Sequence, residues 1–118
     1  MKLLIIILSC IASMVYAQPS NLVYIRINQV GYLPTDTKIG IAFSNTPVKG
    51  KFEVIDQKSK KSIFTGKIIS TKAAGFDSFK YYYELDFSSL NQEGEYRLRI
   101  AGAKAESSTF FIGKNSSA

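Results

Sequence analysis

Hydrophobic and polar positions alternate with a period of two through most of the chain beyond its first twenty residues. Val23, Ile25 and Ile27 fall on one side of an extended segment, and Tyr24, Arg26 and Asn28 fall on the other. That is the pattern of a half-buried strand. The alternation breaks at Asn28-Gln29, and Gly31 and Pro34 close the segment off. Gly31 can adopt backbone angles that a Cβ resists, while Pro34 fixes φ and removes a donor. The chain is therefore expected to leave a sheet in a defined bend that presents Asn28, Gln29 and Tyr32.

The same alternation recurs downstream. Residues 38–44 place Ile39, Ile41 and Phe43 on one face and the small Gly40 and Ala42 on the other; residues 51–56 point Phe52 and Val54 inward. Residues 63–69 predict one or two short strands, with Gly66 a candidate bulge. The strongest strand covers 79–87, with Phe79, Tyr81, Tyr83, Leu85 and Phe87 on one face and Lys80, Tyr82, Glu84 and Asp86 on the other. Residues 95–100 follow with Tyr96, Leu98 and Ile100 inward, and 109–112 form the last strand. Between these lie turn signals at Asn45-Thr46-Pro47 and Gly50, a lysine-rich turn over 57–62, and loops over 71–77 and 101–107.

About seven short strands with no helical period predict an all-β protein, an antiparallel two-sheet sandwich. Tyr96 stands just after a Gly94 turn, at the start of the penultimate strand. It suits a tyrosine corner, whose hydroxyl bonds back to upstream backbone, and Leu98 takes the place where an antibody domain carries its second cysteine.

Length and composition set the remaining bounds. A chain of 118 residues holds one domain, expected over 18–113. Residues 1–17 carry the marks of a signal peptide: Lys2, an apolar run from Leu3 with Ile11 and Ala12, and Val15-Tyr16-Ala17 before Gln18. The run falls short of the roughly 20 apolar residues of a spanning helix, so no stable membrane anchor is expected. The stretch before Cys10 is also short for a lipoprotein. The chain is read as secreted or periplasmic, and residues 114–118 as a polar tail or truncated linker. Cys10 is the only cysteine, so the mature domain holds together by its core and not by disulfides.

The net charge of +6 is scattered, with one cluster at Lys58, Lys60 and Lys61 in a turn. A nucleic-acid binder would show a basic stripe, and none is present. Without histidine, and with no cysteine beyond Cys10, a zinc site lacks its nitrogen and sulfur ligands. No D-x-D-x-D-G calcium loop occurs.

Sugar cleavage by acid–base catalysis needs two carboxylates facing each other across a cleft. Glu84 and Asp86 share one strand face beside Lys80, an arrangement better suited to surface ion pairs. No serine or threonine has a histidine to activate it. Neither catalytic residues nor a cofactor are therefore expected. Tyr24 and Tyr82, with Tyr32, are candidates for stacking on sugar rings, although scattered tyrosines do not define a platform.

Three blocks carry a family resemblance, in order along the chain. They are residues 25–34, reading I-R-I-N-Q-V-G-Y-L-P; D-F-S-S-L at 86–90 with G-E-Y-R-L-R-I at 94–100; and S-T-F-F-I-G at 108–113. Together they resemble the N-terminal immunoglobulin-like domain of family 9 glycoside hydrolases, the cellulases and their relatives. The first block is the most specific. The resemblance implies an immunoglobulin-like sandwich that precedes and packs against a catalytic (α/α)6 barrel. In that family the barrel carries the acids for inverting hydrolysis of β-1,4-glucans. Nothing after Ala118 matches the barrel, so no catalytic residue transfers. Two alternatives stay open: an accessory domain of a longer hydrolase, with Asn28, Gln29 and Tyr32 as its interdomain contact, or a stand-alone module for carbohydrate, possibly β-glucan, or for surface interaction.

Overall fold

The computed structural model describes residues 22–72 and 79–113. The expected signal peptide, Cys10, the polar tail and most of the loop at 71–77 lie outside the described residues. Eight strands run through the described residues: β1 (Val23–Arg26), β2 (Ile39–Ser44), β3 (Lys51–Asp56), β4 (Ser62–Thr71), β5 (Tyr81–Asp86), β6 (Gly94–Ile100), β7 (Ala105–Glu106) and β8 (Phe110–Ile112). All strand pairs are antiparallel.

One layer is built in the order β1-β2-β5-β4, and the other in the order β4-β3-β6, with β7 and β8 sharing the far edge of β6. Strand β4 belongs to both. Its first half pairs with β3 and its last four residues, Ile68 to Thr71, pair with β5. The expected short strands around Gly66 are thus one ten-residue strand that crosses between layers. The register shift falls not at Gly66 but one turn earlier, where Val54 opposes Phe64 and Ile55 opposes Ser62, leaving Ile63 as the extra residue. Gly66 is there for space: a Cβ would come within 2.6 Å of the Phe52 ring.

The core lies between the layers, with Phe52 and Val54 of β3, Tyr96, Leu98 and Ile100 of β6, Leu85 of β5, Ala42 of β2 and Phe110 and Ile112 of β8. This is the alternation expected for β3 and β6. On β2 the small face turns inward: Gly40, Ala42 and Ser44 are buried, while Ile39, Ile41 and Phe43 lie half-buried on the outside. Size explains it. A Cβ on residue 40 would sit 2.7 Å from Leu98 Cδ1 of the opposite layer, so the glycine lets the layers close.

The Phe79–Phe87 face also divides. Tyr83, Leu85 and Phe87 enter the core, but the Phe79 ring lies 4.8 Å from Phe43 and 5.5 Å from Tyr24, among the outward side chains of the first layer. Residues 101–107, expected as a loop, hold a 3-10 turn (Ala101–Ala103) and β7.

Candidate functional site

The bend after β1 is built by a closed set of local hydrogen bonds. Asn28 Oδ1 accepts from the Val30 amide at 3.0 Å, and the Asn28 carbonyl accepts from the Gly31 amide at 3.0 Å. Gly31 takes φ +107°, a left-handed angle open to glycine. The chain then runs beside β8 in a parallel bridge: the Tyr32 amide donates to Phe111 O at 2.9 Å, and the Gly113 amide donates to Tyr32 O at 2.9 Å. Gln29 Nε2 reaches Ser108 Oγ at 3.1 Å. The N-Q-V-G-Y-L-P segment thereby holds the last strand where the described chain ends.

Tyr32 does not face a partner. It is 6% exposed, and its ring meets Phe87 and Phe110 edge-on at 5.4 and 5.6 Å. Its hydroxyl accepts from the Asn28 amide at 2.9 Å, and burial pushes its pKa up, with that hydrogen bond acting against the rise. The side chains that do face outward at this end are Val30, Leu33 and Phe111, at 60%, 44% and 50% exposure. Leu33 and Phe111 flank the bridged pair Tyr32 and Ile112, so alternation turns both away from the core.

A buried lysine backs this end, and the sequence gave no sign of it. Lys38 is fully buried. Its ammonium donates to Pro34 O at 2.6 Å, Asp36 O at 2.9 Å and Ser88 O at 3.0 Å. Its amide donates to Ser88 Oγ at 2.8 Å, and its carbonyl accepts from the Phe87 amide at 2.9 Å. Desolvation pulls its pKa below the ordinary lysine value, and Asp36 and Asp86 pull it back. Asp36 in turn takes the Leu33 amide on Oδ2 at 2.8 Å and returns its own amide to Leu33 O at 3.0 Å. The 33–38 connection is therefore fixed from within.

Tyr96 adopts the corner geometry. Its hydroxyl donates to Gln92 O at 2.8 Å, with Glu93 O at 3.3 Å, and burial raises its pKa.

Tyr24 and Tyr82 flank Phe43 across neighbouring strands, with ring centroids 5.8 and 6.1 Å from it and planes within about 26° of parallel. The row is not an open platform. Tyr24 is 44% exposed, but Tyr82 only 4%, and Phe79 packs edge-on against Phe43.

The carboxylates of β3, β7 and the nearby turn are taken up in structure. Glu53 Oε1 accepts from Arg99 at 2.7 and 3.1 Å, which holds its pKa below the usual range. Glu106 pairs with Arg97 Nε at 3.1 Å, off the hydrogen-bond line. Asp56 accepts from the Ser59 amide. Surface grooves run beside Val48 and Lys104, beside Arg26 and Gln29, and beside Arg99 and Glu106; none of the three is lined by two carboxylates. Among the described residues no cluster of acids could hold a metal ion.

Comparison with known proteins places this geometry. Residues 23–105 match the family described as the cellulase N-terminal ig-like domain. A xyloglucan-specific endo-beta-1,4-glucanase of Bacteroides ovatus, BoGH9A, is 36% identical over 88 residues, which is 75% of this chain and 14% of that enzyme. A solved Bacteroides ovatus GH9 structure superposes at TM-score 0.62 with 32% identity, over 84% of this chain and 17% of its own. A metagenome-derived glycoside hydrolase family 9 endoglucanase superposes at TM-score 0.65 over 77% of this chain and 18% of its own; at 23% identity it supports the fold. The chain thus spans under a fifth of the length of each of these relatives. With the family match covering most of the sandwich from β1 into β7, this chain belongs to the cellulase N-terminal immunoglobulin-like domain family.

Proposed function

We propose that this domain is the non-catalytic accessory module of a secreted family 9 glycoside hydrolase that degrades β-1,4-glucans. In this reading it packs against and stabilises a catalytic (α/α)6 barrel in the same polypeptide. The observation that carries it is the extent of the match: the chain aligns with 14% of an enzyme named as an endo-β-1,4-glucanase, and its family is an N-terminal domain. The placement of the acids supports the non-catalytic role, since Glu53, Asp56 and Glu106 are engaged in ion pairs and a turn. The signal-peptide pattern of residues 1–17 supports export.

The test begins with the gene. An open frame beyond Ala118 that encodes paired aspartates and a later glutamate is the expected result. The full chain and a version lacking residues 18–113 are then assayed on xyloglucan and other β-1,4-glucans. The reading predicts hydrolysis by the full chain and a lower melting temperature for the deletion. A frame without a hydrolase domain would overturn it and favour a stand-alone carbohydrate-binding module, to be titrated with cello-oligosaccharides.

A further inference from the structure

We infer that Val30, Leu33 and Phe111 form the seat for the folded domain that follows Gly113 in the same polypeptide. This assignment rests on the accessory-domain reading and adds to it a specific surface. An isolated exposed leucine is ordinary on any protein. These three differ in being placed together by one piece of structure. Leu33 and Phe111 flank the bridge of Tyr32 to Ile112, and Val30 stands at the tip of the turn that leads into it.

Location argues for the occupant. The last described residue, Gly113, is hydrogen-bonded to Tyr32 O, between Leu33 and Phe111 in space. Relatives of this chain extend over more than five times its matched length. A domain tethered at this point meets the surrounding surface at high effective concentration, so even modest apolar contact there is favoured over any remote face. Rigidity argues the same way. The bend is fixed by Asn28, by the bridge to β8 and by the Asp36 and Lys38 bonds, so little ordering entropy is lost on contact.

Other surfaces fit less well. The outward side of β3 and β6 carries Glu53, Arg97 and Arg99, already paired among themselves and with Glu106. The outward side of β1, β2 and β5 has apolar residues, but its rings pack on one another around Phe43 and only Tyr24 among the ring row is exposed.

The experiment uses the full-length chain, with Leu33→Lys and Phe111→Lys combined. Lysine suits these sites in an undocked domain, since Asp36 is bonded to the Leu33 backbone and Glu95 lies opposite Phe111. The control combines Tyr24→Ser and Ile69→Ser, two exposed residues of the other layer. Scanning calorimetry should show the melting transition of the following domain falling by about 4 °C or more in the first variant and by about 1 °C or less in the control. Amide exchange of β3 and β6 confirms that the sandwich itself stays folded in both. Equal shifts, or a larger shift in the control, would overturn the surface assignment while leaving the accessory role intact. A gene with no domain after Gly113 would overturn the accessory role itself, and the assignment with it.

Discussion

Strand β6 borders two surfaces of opposite character. Along its middle, Arg97 and Arg99 point outward and meet Glu106 and Glu53, a mixed-charge face of the kind water solvates. At its start, Glu95 is opposed by Phe111, and beyond it lie Leu33 and Val30, exposed and apolar. The two regions are also anchored differently. The charged face depends on pairs of side chains that water screens. The apolar end depends on backbone: the Asn28 turn, the Tyr32 bridge and three carbonyls closed around the Lys38 ammonium. A surface that is solvated needs no rigid backing, whereas one that must receive a neighbour in a fixed orientation gains from it. The contrast separates the face adapted to solvent from the end adapted to contact.

The sharpest way to break this contrast is to remove the anchor of the apolar end. Tyr32→Ala deletes a buried ring between Phe87 and Phe110 and should cost about 3–5 kcal/mol in denaturant unfolding. It would also loosen residues 29–34, read as faster amide exchange there. Lys38→Met comes next. It leaves the carbonyls of Pro34, Asp36 and Ser88 without their shared donor, and each was bonded to a charged group, so a loss of about 3 kcal/mol is expected from the same measurement. A change below about 1 kcal/mol would show that the cage does not hold the connection.

Glu53→Gln, on the charged face, should cost under about 1 kcal/mol at neutral pH, because the pair with Arg99 is partly solvated. Its pH dependence has a definite sign. Arg99 holds the Glu53 carboxyl below its ordinary range, so the unfolded chain binds the proton more readily. The contribution is present above the unfolded-state value and is lost as pH falls through the folded one. The gap between wild type and Glu53→Gln should therefore close below about pH 4. A Glu53 effect as large as that of Lys38 would erase the distinction between the two regions.

How much of this was legible in the sequence follows from what each feature depends on. Strands β3 and β6 alternate apolar with charged residues, so period and polarity agree and their inward faces read directly. The Tyr96 corner was also readable, because its hydroxyl bonds to Gln92, only four residues away. Strand β2 was less transparent: both faces are apolar, and side-chain volume against Leu98 decided which one entered the core. Tyr32 was placed on the wrong side because the bend resets the alternation that would have assigned it. Lys38 had no signal at all. A lysine before a strand reads as surface, and its burial depends on the Ser88 carbonyl, fifty residues away in the chain. Phe79 left its expected face for the same class of reason, a non-local contact with Phe43 and Tyr24.

The most direct test of the central claim is hydroxyl-radical footprinting of the full-length protein, which reads side-chain exposure at each residue. If the apolar end is the seat of the following domain, Leu33 and Phe111 should label several-fold more slowly than Tyr24 and Ile69, although all four are exposed in the sandwich alone. Labelling of Leu33 and Phe111 at the rate of Tyr24 and Ile69 would contradict the account, because the surface held rigid at the chain exit would then face water.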